Sequence, residues 1–140
     1  MTKYFSLFKG FLFAAVIYLS ALNSYSLAQE NTDKLFIGKW VSGPNRENML
    51  DIDGNPYRIS FSIEEVDGIL VTRMESPDAD VFNLTAAETT IDGYKIKIYF
   101  KEIDSLFKGE LSSRKIELNG TFVIGRKYVS ISFRKVRAED

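Results

Sequence analysis

The feature that most constrains this chain is a strict alternation of apolar and polar residues. In residues 94–101, apolar or aromatic residues occupy the even positions, and three of the four odd positions hold lysine. Residues 58–64 repeat the pattern. Successive side chains of a β-strand point to opposite faces, so this alternation predicts strands with one buried face and one face in water. After residue 28, no segment shows a convincing helical period, and the sequence therefore predicts an all-β chain.

Turn sequences separate the alternating segments. Asp67-Gly68 and Asp92-Gly93 are strong hairpin signals, because a two-residue hairpin turn needs positive φ angles. Residues 112–115 and 125–127 are two further turn sequences. The fourth strand is the least regular, since Ala86-Ala87-Glu88 interrupts it and predicts a bulge. The predicted strands cover residues 36–42, 57–66, 69–76, 81–91, 94–101, 106–112, 116–124 and 128–136.

About eight short strands joined in sequence predict a single antiparallel meander that closes into a barrel, with a β-sandwich as the alternative. A barrel of this size either encloses one small ligand or is filled by side chains. Gly109 and Gly120 lie inside predicted strands, where glycine either permits a bend or leaves interior space. The pattern therefore predicts the fold without deciding what occupies its interior.

The first 28 residues have the pattern of a secretory signal peptide. Lys3 and Lys9 precede or border an apolar run over residues 10–22, and Ser26-Leu27-Ala28 supplies the small residues that signal peptidase needs. An uncleaved membrane anchor is the alternative, although a spanning helix needs about 20 apolar residues. We predict cleavage after Ala28 and a secreted or periplasmic protein. The predicted organisation is a signal peptide (1–28), a flexible leader (29–34), a barrel domain (35–137) and a tail (138–140).

The composition removes several classes of chemistry. The chain has no histidine and no cysteine, which excludes Ser-His-Asp catalysis, thiol catalysis and ordinary structural zinc. Since Lys3 and Lys9 lie in the predicted signal peptide, the mature net charge is −3, which argues against nucleic acid as a main partner. We therefore expect no enzyme activity, no cofactor, no metal and no nucleic acid partner.

Longer connections gather at one end of an up-and-down barrel, and rigidly held loops are frequent binding sites. The predicted long connections are 43–56, 77–80, 102–105 and 125–127. This long-loop end collects mostly acidic side chains. We predict an open, acidic mouth, while the alternative is that the acids only keep a small protein soluble. The candidate ligand-binding residues are Asp51, Asp53, Asp78, Asp80 and Arg126.

Asp51 and Asp53 belong to the sequence Asp-Ile-Asp-Gly-Asn, which has some likeness to a calcium loop. The sequence lacks the full ligand spacing and the bidentate glutamate of such a loop. A turn over residues 51–56 is the preferred interpretation.

Two sequence features at the opposite end suggest a family. Gly38-Lys39-Trp40 opens the first predicted strand, and Arg134 lies in the last. This resembles the lipocalin arrangement, in which a G-x-W motif and a basic residue from the last strand close the barrel floor. The resemblance implies that Arg134 lies over the indole of Trp40, where a cation–π contact would cap the core.

The order of motifs along the chain also resembles a small lipocalin-like β-barrel domain of bacterial exported proteins. The pattern runs from G-x-W through S-P-D, G-x-L and G-x-F to a closing arginine. It is carried by Gly38–Trp40, Ser76–Asp78, Gly109–Leu111, Gly120–Phe122 and Arg134. In this chain, Ala79-Asp80 replaces the glutamine-glycine that usually follows S-P-D. Domains with this pattern sometimes precede a serine hydrolase domain, and none follows within these residues.

The sequence is compatible with two functions. The first is an exported, non-enzymatic protein that holds a small, partly apolar ligand at the long-loop end of the barrel. The alternative is an envelope protein-interaction module, such as an inhibitor or accessory subunit, with a filled core. The volume inside the barrel discriminates between them, because a ligand carrier needs a pocket of a few hundred Å3.

Overall fold

The computed structural model describes residues 32–43 and 58–137. The predicted signal peptide, the start of the leader, most of the 43–56 connection with Asp51 and Asp53, and the tail lie outside the described residues. The chain divides into two compact units, Met1–Lys34 and Leu35–Asp140. Within the described ranges, no helix is long and apolar enough to cross a membrane.

The second unit is built from nine β-strands. Single turns of 3₁₀ helix at Pro77–Ala79 and Lys101–Ile103 connect β3 to β4 and β6 to β7. Residues 32–36 are helical, so the first strand begins two residues later than predicted. The strands are β1 Gly38–Ser42, β2 Ser60–Val66, β3 Ile69–Ser76, β4 Val81–Thr85, β5 Glu88–Asp92, β6 Lys95–Phe100, β7 Ser105–Leu111, β8 Glu117–Ile124 and β9 Lys127–Lys135.

All nine strands belong to one sheet in the order β4-β3-β2-β1-β9-β8-β7-β6-β5. Every pair of neighbours is antiparallel, and the first strand also pairs with the last, with Trp40 opposite Lys135. The strands at the two edges of the sheet, β4 and β5, are consecutive in the chain, so the sheet curls round on itself. The predicted all-β antiparallel meander is confirmed.

The predicted fourth strand is divided between two neighbours, which is why nine strands replace eight. The backbone N–H of Ala86 donates to Thr72 O on β3 at 2.8 Å, and that of Ala87 donates to Tyr99 O on β6 at 2.8 Å. Just beyond, the hydroxyls of Thr72 and Thr89 lie 2.8 Å apart and share a hydrogen bond. The Ala86-Ala87 irregularity is thus the point where one chain segment leaves β3 and joins β6.

The hairpin β2–β3 follows its turn signal closely. Asp67 and Gly68 have φ angles of 53° and 77°, and Val66 pairs directly with Ile69. Positive φ at both central residues fits the primed turn that matches the twist of the strands.

Phenylalanine rings occupy the middle of the core. The ring of Phe61 lies 4.5 Å from that of Phe133 and 5.3 Å from that of Phe107, measured between centroids. Phe100 and Phe122 complete the cluster at 6.0 and 5.8 Å from Phe61. All five side chains are buried. Such offset and tilted pairs stabilise a core by about 0.5–1.5 kcal/mol each beyond the area they bury.

Candidate binding surface

The two glycines inside β7 and β8 make room for an aromatic ring. Gly109 and Gly120 face each other across the two strands. A Cβ atom added to either glycine would lie 2.6 Å from the ring of Phe107, a distance that real Cβ atoms do not show. The sequence allows two roles for these glycines, a bend in the strand or open interior space. The structure does not show open space beside them. The space beside them is filled by Phe107.

Asp78, a predicted ligand-binding residue, is engaged by Arg58. The guanidinium donates to both carboxylate oxygens, at 2.8 and 3.1 Å, and the backbone N–H of Arg58 donates to Oδ2 at 2.8 Å. These hydrogen bonds lower the pKa of Asp78 to about 2 from an ordinary value of 3.8. Asp78 therefore ties the chain entering β2 to the Pro77–Ala79 turn.

The other predicted ligand residues do not form a cluster with Asp78. Asp80 is exposed and closes the Pro77–Ala79 turn with a φ of 53°, its backbone N–H donating to Pro77 O at 3.2 Å. Arg126 is exposed in the β8–β9 turn. Among the described residues, no group of three or more His, Cys, Asp or Glu side chains is placed to hold a metal ion.

The sequence pattern does not predict that apolar side chains are exposed at the long-loop end. One exposed example lies in or just after each described connection at this end. Phe82 is 66% exposed after the Pro77–Ala79 turn, Tyr128 is 76% exposed after the β8–β9 turn, and Ile103 is 38% exposed in the Lys101–Ile103 turn. We define these three side chains as the loop-end apolar set.

A bulge in β4 explains the exposure of Phe82, for which alternation predicts a core position. Met74 pairs with Leu84 while Ser76 pairs with Val81, so β4 has one more residue than β3 between these pairs. Asn83 takes a left-handed φ of 54°, a conformation in which asparagine is enriched. The extra residue re-aims the side chain before it. Asn83 occupies a polar position of the alternating run, so the alternation itself gives no signal of this bulge.

Exposed apolar residues also occur at the opposite end, but three of the four have partners there. Val66 and Ile69 are directly opposed in the β2–β3 hairpin. The Lys115 ammonium lies 4.3 Å from the centroid of the Tyr94 ring and donates to its hydroxyl at 3.0 Å. Ile116, in the β7–β8 connection, is exposed as well. Cross-strand pairing and the Lys115 contact give the first three local structural roles.

Two buried hydroxyls face the interior at the long-loop end. Ser76 ends β3 and Ser105 begins β7, and both side chains are buried. Neither Oγ atom has a hydrogen-bond partner within the described part of the chain. Most buried polar atoms in proteins are hydrogen-bonded, and these two hydroxyls keep the capacity to donate and accept such a bond.

The barrel floor differs from the prediction by one residue. Trp40 is fully buried, and its indole N–H donates to Phe36 O at 2.7 Å. The cation over its ring is Lys135, whose Nζ lies 5.2 Å from the ring centroid and donates to Leu35 O at 2.8 Å. Arg134 points outward and pairs with Glu117 at 3.6 Å. The prediction of Arg134 at the floor is therefore wrong, because successive residues of β9 face opposite sides of the sheet.

Two depressions lie on the outer face of the sheet. The larger, of about 630 Å3, includes the Arg134–Glu117 ion pair and residues of β1, β8 and β9. The smaller, of about 300 Å3, spans β6, β7 and β8. Asn119 borders both.

No family model matches the chain, and no curated protein matches it. Among solved structures, the chain is similar to wild-type fluorescent protein UnaG, with 12% identity and a TM-score of 0.48, over 74% of this chain and 98% of that chain. One mutant of UnaG has 14% identity and the same TM-score and coverage. A second has 14% identity and a TM-score of 0.45, over 75% of this chain and 97% of that chain. The fold assignment rests on the strand order and register of this chain.

Proposed function

We propose that this chain is an exported, non-enzymatic protein-interaction module that contacts a partner in the cell envelope with its long-loop end. The observation that carries the proposal is the filled middle of the barrel. The rings around Phe61 occupy the central layer, and the glycines of β7 and β8 are the residues that admit one of them. A domain whose centre is packed in this way acts through its surface.

The loop-end apolar set supplies the kind of surface that a partner recognises. Aromatic residues are enriched at protein interfaces, and a few central anchors carry most of the binding energy. Phe82 in β4 and Tyr128 in β9 are exposed aromatic residues near the start of their strands, just after short connections of the sheet. Charged residues of the same connections, including Asp80, Glu102 and Arg126, are exposed and would form a polar rim.

Export is a separate part of the proposal and rests on residues 1–28. The charged start, the apolar run and Ser26-Leu27-Ala28 support cleavage by signal peptidase. We expect the protein isolated from its natural source to begin at Gln29. Determination of its N-terminal sequence tests this directly, and an intact Met1 would contradict it.

A paired comparison of surface variants tests the interaction. The test variant carries Phe82→Ser and Tyr128→Ser, and the control carries Val66→Ser and Ile69→Ser at the opposite end. Each protein is cross-linked in intact cells, and covalent adducts are identified by mass. We expect the native protein and the control to give the same polypeptide adduct and the test variant to lose it. An adduct that survives in the test variant, or no adduct with the native protein, would contradict the proposal.

A second candidate function is the holding of a small, partly apolar molecule at the same end. The observation that favours it is the pair of hydroxyls of Ser76 and Ser105, which are buried at the long-loop end and have no hydrogen-bond partner among the described residues. A ligand there would donate hydrogen bonds to these oxygens or accept them. Substitution of both serines by alanine would then weaken binding of that molecule, whereas the interaction proposal expects adduct formation to be unchanged.

A further inference from the structure

The outer face of the sheet places two lysines directly opposite each other. Lys97 on β6 and Lys108 on β7 are register partners, and both are exposed. Directly opposed residues of antiparallel strands have Cβ atoms only about 4.5–5.5 Å apart, and like charges in such positions destabilise the pair. Within the described residues, neither ammonium group has an ion-pair partner. No described carboxylate therefore forms an ion pair with either ammonium group, although Glu110 and Asp92 lie one diagonal step from Lys97 on the same face.

The neighbouring strands extend this row with hydroxyl groups. Thr90 on β5 is the register partner of Lys97, and Thr121 on β8 is the partner of Lys108. Ser130 on β9 continues the row beside Thr121. Strand residues paired in this way project from the same face, so two ammonium groups stand between hydroxyl groups. Ammonium and hydroxyl groups are hydrogen-bond donors suited to an oxyanion.

The same two lysines border the smaller outer depression. Its charged lining consists of Lys95, Lys97, Lys108 and Glu110, and Asn119 adds an amide. The lining holds three ammonium groups and one carboxylate, and Asp92 on β5, a register partner of Lys95, adds a second carboxylate on the same face. Lys95 is the register partner of Glu110, so that carboxylate faces Lys95 rather than the Lys97–Lys108 pair. The two ammonium groups of Lys97 and Lys108 together match a phosphate monoester, which carries about −1.5 to −2 charges at pH 7.

We infer that the Lys97–Lys108 pair, with Thr90 and Thr121 beside it, is a binding site for a phosphate group. An anion between the two ammonium groups would replace their repulsion by two charge-assisted hydrogen bonds, which are stronger than neutral ones. The site lies on the outside of the sheet and does not depend on the proposed interaction at the long-loop end. The phosphate belongs either to a soluble molecule or to a lipid headgroup, and both present the same oxygens.

Thermal unfolding of the full chain tests the site with inorganic phosphate as the probe. Phosphate replaces chloride at constant ionic strength, and the native protein is compared with Lys97→Gln, Lys108→Gln and the control Lys39→Gln. Lys39 is an exposed strand lysine of β1, opposite Ser62. We expect a saturable rise in melting temperature for the native protein and the control. Either test variant should need at least about tenfold more phosphate for the same rise.

A vesicle sedimentation assay tests whether the phosphate belongs to a lipid headgroup. If free phosphate has no effect, phosphatidylglycerol vesicles should sediment the native protein and the control, while Lys97→Gln and Lys108→Gln stay in the supernatant. Phosphatidylcholine vesicles provide the uncharged comparison. A native protein that responds to neither probe, or test variants that respond as it does, would overturn the inference.

The variants also report on the repulsion itself. In phosphate-free buffer at low ionic strength, Lys97→Gln should melt at or above the native temperature, because one of two opposed charges is gone. A lower melting temperature would show that the lysines are already compensated in the free protein and would overturn the inference.

Discussion

At the scale of single residues, the side of the strand on which a residue lies determines its role. Trp40 is opposite Lys135 in the β1–β9 register, so Lys135 reaches its ring while Arg134 faces water. The family pattern ends in an arginine, and arginine is the commoner cation–π partner, so the sequence predicts Arg134 over the indole. One step along a strand moves a side chain to the other face. The prediction found the correct strand and the correct kind of contact, and chose the wrong one of two adjacent cations.

This difference predicts unequal effects of two adjacent alanine substitutions. Lys135→Ala removes a hydrogen bond from a charged, half-buried donor to Leu35 O, and should lower the free energy of unfolding by about 1.5 kcal/mol. Arg134→Ala removes an exposed ion pair, and the change should stay within about 0.5 kcal/mol. Urea unfolding of both variants measures this. Equal losses would contradict the assignment of Lys135 to the floor.

The contact between Arg58 and Asp78 predicts a pH dependence. The pKa of Asp78 is about 2 in the folded protein, below its ordinary value of 3.8. A carboxyl group with a lowered pKa stabilises the fold above its unfolded pKa, and this contribution disappears as the pH falls through the folded value. The melting temperature of Asp78→Asn should therefore lie below the native one at about pH 6 and approach it by about pH 2.

Asp80→Asn is the control for this titration, because it removes a carboxylate from the same turn without touching Arg58. Its melting temperature should stay close to the native one at each pH. A gap between Asp78→Asn and the native protein that stayed constant down to about pH 2 would exclude the contact as its source.

At the scale of elements, the sequence predicts features that depend on neighbouring residues and misses those that depend on pairing with distant strands. Alternation and the Asp67-Gly68 turn predict the β2–β3 hairpin, since both act within a few residues. The division between β4 and β5 depends instead on which neighbours the two halves of the segment meet, namely β3 and β6. The sequence shows only the irregularity at Ala86-Ala87. The bulge that exposes Phe82 escaped prediction for the same reason, because it appears only in the pairing with β3.

The glycine pair of β7 and β8 gives a direct test at this scale. A Cβ at Gly120 would overlap the carbonyl oxygen of Lys108 and the Phe107 ring. Gly120→Ala should therefore lower the free energy of unfolding by about 1–3 kcal/mol, the usual cost of overpacking. Neither Gly120 nor Gly43 has a left-handed φ, so alanine is compatible with the backbone at both. At Gly43, an added Cβ would meet no atom within 4 Å. Gly43→Ala is the control for chemical denaturation and should be nearly neutral. A neutral Gly120→Ala would mean that the interior there is not packed.

At the scale of the whole molecule, the sequence predicts a barrel but not its contents. The number of alternating segments and the short turns suffice for a closed antiparallel meander. Whether the interior is open depends on how rings such as Phe61 and Phe107 interlock, which is a matter of shape in three dimensions. The candidate site was predicted less well. Acidic loops suggested a mouth, whereas Asp78 is held by Arg58 and apolar side chains are exposed at the same end of the sheet.

The most direct test of the filled barrel is mass spectrometry of the protein purified gently from its natural source. One sample is sprayed under native conditions and another is extracted with organic solvent. We predict that the native mass equals that of the bare mature polypeptide, alone or with a second polypeptide. A stoichiometric small molecule without a phosphate group that leaves on denaturation would contradict the filled interior and identify the protein as a carrier, whereas a phosphate-bearing molecule would belong to the proposed site on the outer face.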